Sequence, residues 1–170
     1  ATVASAAGAV TISGGTVSAD VQGRDLTIDT TTATGTGGAV NLPTLDNTGG
    51  ALLNDLSIDT RATIDGILTL HGNIAVDDNG AGDLSSITLA GDVRLATAVT
   101  LAASDGDQHA GSVDLQNATV SATTANVDLT VNTMYPGAGA FNSGAITLGL
   151  FNSVGGHAVR NVSANASNAG

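Results

Sequence analysis

"AGAVTISGGTVSADVQGRDLTIDT" (residues 7–30) returns lower in the chain as "AGSVDLQNATVSATTANVDLTVNT" (110–133). The two align without a gap and share 11 of 24 residues, among them Val10/Val113, Thr16/Thr119, Val17/Val120 and Leu26/Leu129. The likeness continues downstream. "GAVNLPTLDNTGGALLNDLSIDT" from Gly38 resembles "GAITLGLFNSVGGHAVRNVSANA" from Gly144, with the offset grown from 103 to 106. Residues 7–60 therefore recur as 110–166, with the three extra residues in "MYPGAGAFNSG" (134–144). A tandem block of about 100 residues points to a repeat architecture and to one continuous domain over residues 1–170.

A finer period lies inside the block. Phrases of the form Gly-x-aliphatic-x-aliphatic occur as "GAVTI" at 8, "GAVNL" at 38, "GILTL" at 66, "GDVRL" at 91, "GSVDL" at 111 and "GAITL" at 144. Each alternates, as a strand with one buried face does. Stacked in phase, they give two inward columns. One is Val10, Val40, Leu68, Val93, Val113 and Ile146; the other is Ile12, Leu42, Leu70, Leu95, Leu115 and Leu148. The residues between them, Thr11, Asn41, Thr69, Arg94, Asp114 and Thr147, are all polar and are expected to face outward. That stacking also sets Arg94 one coil below Asp114. Further strand text ("DLTIDT", "DLSIDT", "SSITL", "VDLTV") and clusters of Gly, Asn and Asp fill each step.

Three short strands per step, with Gly in phase, predict an all-β parallel β-solenoid of about six coils of 20–33 residues. Four steps make one large repeat. The competing architecture, an antiparallel β-sandwich, has no reason to repeat Gly-x-Val-x-Leu in every coil.

Composition agrees. The best helix formers are scarce: all 15 acidic residues are Asp, with no Glu and no Lys, while 23 residues are Gly. Aromatics are limited to Tyr135, Phe141 and Phe151, which suits a narrow aliphatic tube. A net charge of −11 with four arginines excludes a basic footprint for nucleic acid. There is no cysteine, so neither a disulfide framework nor a thiolate metal site is available. No apolar run approaches the roughly 18 residues of a membrane span.

"GAVTISGGTVSADVQGRDLTIDT", "SSITLAGDVRLATAVTLAA" and "AGSVDLQNATVSATTANVDLTVNT" resemble the degenerate strand repeats of large bacterial surface exoproteins, the filamentous-haemagglutinin-like and autotransporter-type adhesins. The resemblance implies a right-handed parallel β-helix, export to the bacterial cell surface, and a role as stalk or adhesive fibre. It brings no catalytic motif. Repeat text at both ends further suggests end-to-end self-association, or continuation in a longer repeat chain.

Chemistry-bearing groups are few. "VDDNGAGDL" sets Asp77, Asp78, Asn79 and Asp83 in a Gly-rich loop whose hard oxygens suit Ca²⁺, and whose residue types equally suit a turn. "SDGDQH" adds Asp105, Asp107 and His109. His71, His109 and His157 share no ligand spacing. Tyr135 and Phe141 are candidates for contact with a host or cell-surface glycan; in the alternative, Phe141 and Phe151 fill a wider part of the core. Two other functions stay open beside the adhesive module. A polysaccharide-acting enzyme would use Arg94 and Asp114. An ice-binding solenoid would need a regular outward threonine ladder, and the column above mixes Thr, Asn, Arg and Asp.

Overall fold

The computed structural model describes residues 1–46, 48, 50–77, 84–103, 111–134, 144–153 and 156–166. The described chain is all-β and winds as a parallel β-solenoid. Its strands are β1 (Thr2–Ala4), β2 (Val10–Thr11), β3 (Thr16–Val17), β4 (Leu26–Asp29), β5 (Val40–Leu42), β6 (Thr44–Leu45), β7 (Asp55–Asp59), β8 (Ile67–Leu70) and β9 (Ile74–Val76). They continue as β10 (Ser86–Leu95), β11 (Val99–Ala103), β12 (Ser112–Asp114), β13 (Ala118–Ala122), β14 (Asp128–Asn132), β15 (Ile146–Thr147), β16 (Leu150–Phe151) and β17 (Asn161–Asn165).

These strands stack on three faces. Face A holds β1, β4, β7, the first half of β10, β12 and β15. Face B holds β2, β5, β8, the second half of β10, β13 and β16. Face C holds β3, β6, β9, β11, β14 and β17. Every pairing between these strands is parallel, because each strand meets its counterpart one turn later. The aliphatic core closes over four turns, β4 to β14, where the phrases had predicted six coils. The outermost passes are more exposed than the middle ones, and all but β17 are two or three residues long; each has a described neighbour on one side only.

Alternation along the strands fills the tube. Face A contributes Leu26, Leu56, Ile87 and Val113, and beside them Ile28, Ile58 and Leu89. Face B contributes Val40, Leu68, Val93 and Val120; face C contributes Leu45, Ile74, Leu101 and Val131. All are buried. A one-residue slip would turn each of these side chains to solvent, which is what holds the register.

The inward columns read from the phrases are right through four steps and then leave the face. Val10, Val40, Leu68 and Val93 do stack on face B. Above Val93, however, lies Val120, not Val113. Val113 sits on face A between Ile87 and Ile146. The cause is the step from Gly91 to Gly111: β10 runs along face A, turns the corner at Ala90–Gly91 and continues along face B, β11 follows on face C, and Gly111 then opens β12 on face A. Gly91 makes that corner with φ +104°, and a Cβ there would stand 2.1 Å from Thr60 Oγ1. The 20 residues between Gly91 and Gly111 therefore cover two passes, not three.

The duplication is consequently mounted one face round. Strands β11–β17 repeat β1–β7 in pairing as well as in text. Thr2 beside Thr27 on face A becomes Thr100 beside Thr130 on face C. Val10 beside Val40 becomes Val113 beside Ile146, Thr16 beside Thr44 becomes Thr119 beside Leu150, and Leu26 beside Leu56 becomes Leu129 beside Val162. Corner details follow. The antiparallel bridge Ala19–Ala51 returns as Ala122–His157. The Thr30 hydroxyl donates to the Gly38 carbonyl at 2.9 Å, and Thr133 donates to Gly144 at 3.2 Å. The left-handed turn at Gly23 (φ 78°) returns at Asn126 (φ 64°), asparagine being a side chain that tolerates this region. The three-residue excess falls between Thr133 and Gly144. One unit thus spans eleven strand passes, one short of four full coils.

Candidate functional surface

Outward positions form rows along the axis, and the three faces differ. On face A the central row is Thr2, Thr27, Ser57, Thr88, Asp114 and Thr147. On face B it is Thr11, Asn41, Thr69 and Arg94, and the next position in register, Ser121, is fully buried. On face C, Thr16 lies beside Thr44, and Thr100, Thr130 and Ser163 follow in register. Asn73 fills the step between, its Oδ1 accepting from the Thr100 amide at 2.9 Å. Face C therefore presents an uninterrupted row of hydroxyl and amide groups at the inter-strand spacing of about 4.8 Å. Reading the Gly-phrases missed this row because its members lie in three kinds of strand text. The recoverable signal is Thr or Ser placed just before a face-C aliphatic, as in Thr16-Val17, Thr44-Leu45, Thr100-Leu101 and Thr130-Val131.

All four arginines pair with a near carboxylate. Arg24 meets Asp20 at 3.0 Å, Arg61 meets Asp59 at 2.6 Å, Arg94 meets Asp92 at 2.7 Å, and Arg160 meets Asp128. The expected neighbourhood of Arg94 and Asp114 does not form. Arg94 stands between Thr69 and Ser121 on face B, while Asp114 stands on face A, where its Oδ1 accepts from the Gln116 amide at 2.8 Å. The pairs shift titration in the ordinary sense. Hydrogen bonding to Arg24, Arg61 and Arg160 lowers the carboxyls of Asp20, Asp59 and Asp128 below the usual carboxylate value, and the three guanidinium pKa values rise.

A lowered carboxyl contributes stability above its unfolded-state pKa and loses it as pH falls through the folded-state value. Arg61→Gln is therefore expected to raise the Asp59 midpoint toward that of an ordinary aspartate. A carboxyl-detected NMR titration reads this, and an unmoved midpoint would contradict the pair.

Of the proposed Ca²⁺ ligands, Asp77 ends the third turn, its amide bonded to the Leu53 carbonyl at 2.8 Å. Asp78, Asn79 and Asp83 lie outside the described residues, as do Asp105, Asp107, His109, Tyr135 and Phe141. Among the described residues no three His, Cys, Asp or Glu side chains converge as a metal site, and no helix is long and apolar enough to cross a membrane. His71 lies in a groove with Thr11, Ile12, Asn41 and Pro43, its Nε2 3.5 Å from Asn41 Oδ1. His157 takes part through its backbone, in the bridge to Ala122. Phe151 packs against the last turn of the core beside Val120, in line with the core-filling reading of that aromatic. No protein-family model, curated protein or solved structure matches the chain.

Proposed function

We propose that the chain is a structural and adhesive β-solenoid module of an extracellular filament, stalk or bacterial cell-surface adhesin, acting without catalysis. The observation that carries this reading is the faithful repetition of strand pairings from one copy to the next. A fold that extends by adding like units is suited to length, and its inter-coil hydrogen bonds run along the axis, where they share load. The acidic surface keeps such a rod soluble and apart from its neighbours. Its partners would be further copies joined end to end or in one longer chain, together with a host or cell-surface glycan bound through Tyr135 and Phe141. Electron microscopy of the purified chain tests the proposal. Rods that associate end to end, and binding on a glycan array that Tyr135→Ala with Phe141→Ala removes, are expected. Compact particles that cleave a polysaccharide would overturn it.

The hydroxyl row on face C favours one second reading. Evenly spaced hydroxyls on a flat sheet can order water in a lattice, as an ice-binding face must. A thermal-hysteresis measurement decides it: activity abolished by Thr100→Lys supports ice binding, and no activity ends the idea.

A further inference from the structure

Strands β15, β16 and β17 are the second-copy counterparts of β5, β6 and β7. In the first copy the far edges of those three strands are covered. Val40 of β5 lies beside Leu68 of β8, Leu45 of β6 beside Ile74 of β9, and Leu56 and Ile58 of β7 beside Ile87 and Leu89 of β10. In the second copy the equivalent edge carries no described strand, and the inward Leu148 and Val162 are 42% and 41% exposed.

We propose that this edge is a docking surface for one specific occupant: a segment with the strand pattern of residues 66–95, the next stretch of the same repeat, joined in tandem. This deepens the structural-module reading and rests on it. The register is fixed by the first copy. A residue of the Leu68 type would lie against Ile146, one of the Ile74 type against Phe151, and ones of the Ile87 and Leu89 types against Val162 and Ala164. The edge keeps its apolar character under substitution. Phe151 stands where the first copy has Leu45, and Ala164 where it has Ile58, so volume gained on face B is offset on face C. The first-coil strands β1–β3 are not the matching occupant. Their counterparts β11–β13 stack on β9 and on the two halves of β10.

The test extends the full chain, in the frame set by the equivalence of Thr60 and Ala166. One variant carries residues 61–98 after Ala166; its control carries residues 1–25 there. Amide hydrogen exchange in β15–β17 is expected to slow at least tenfold in the first variant and to change little in the control. Unchanged exchange in the first variant, or equal protection in both, would overturn the proposal. Exchange in β7–β10 reports whether the rod beneath is intact, and loss of protection there in the first variant would overturn it as well. The readout involves neither adhesion nor fibre formation, so a failure here is distinct from a failure of the proposed function.

Discussion

Val113→Asp is expected to unfold the end of the rod that holds β12–β17 and to leave β4–β9 folded. Val113 is 1% exposed and stands between Ile87 and Ile146 in the face-A stack. A carboxylate there would be desolvated among aliphatic side chains, with no cation within the tube. Losing the valine burial and placing an unpaired charge together cost about 4 kcal/mol or more. In a solenoid each turn contacts only its neighbours, so the damage stays near the substituted turn. Asp114→Asn is the matched control. Its side chain faces outward and keeps its acceptor for the Gln116 amide, so its effect is expected within about 0.5 kcal/mol. Residue-resolved hydrogen exchange separates the two. Equal loss from both substitutions would refute the assignment of inward and outward positions.

The second large effect is expected at the corner of β10. Gly91→Ala would have to hold φ near +104° and bring a Cβ to 2.1 Å from Thr60 Oγ1 and 3.3 Å from Thr60 Cβ. Strain in that backbone region and overpacking of the corner together amount to about 2–4 kcal/mol, a fall in Tm of roughly 10 °C for a chain of this size. Thr60 cannot simply move aside. It is fully buried, and its hydroxyl donates to the Gly66 carbonyl at 2.9 Å, with the Ala90 carbonyl 3.2 Å away. Thr60→Ala combined with Gly91→Ala is expected to recover part of the loss, because it removes the nearer clash and leaves the backbone strain. Thermal melts of the two single variants and the double variant measure the coupling. Independent, additive losses would show that the corner is not packed on Thr60.

Most of this architecture is legible in the sequence. Alternation within the Gly-phrases names the buried side chains of face B correctly from Val40 to Leu95, and scarce aromatics fit the narrow tube. What escapes is phase. The step from Gly91 to Gly111 holds two strand passes, on faces B and C, where the phrases predict three, and only its short length carries that information. From that single miss follow the misplaced Val113 and the false neighbourhood of Arg94 and Asp114. Val127 shows a different limit. It replaces Arg24 of the first copy and is 4% exposed. Arg24 lines an open pocket with Ala1, Asp20 and Leu53, in the first turns of the tube, whereas the position of Val127 has a full turn beneath it. Sequence equivalence preserves the local path of the chain, and depth along the rod decides the burial.

The one-face displacement between copies has a mechanical consequence. A tube whose unit closed after whole turns would carry all its long corner excursions on one edge and would bend most easily about a single direction. Here the chain passes from face A to face B after Thr30, and at the equivalent point after Thr133 it passes from face C to face A. Each added unit of eleven passes advances the axis by about 18 Å and turns this feature by a third of a revolution. Three units joined in tandem would distribute this corner evenly around the circumference, like treads on a spiral stair, so a shaft built this way would have no soft side.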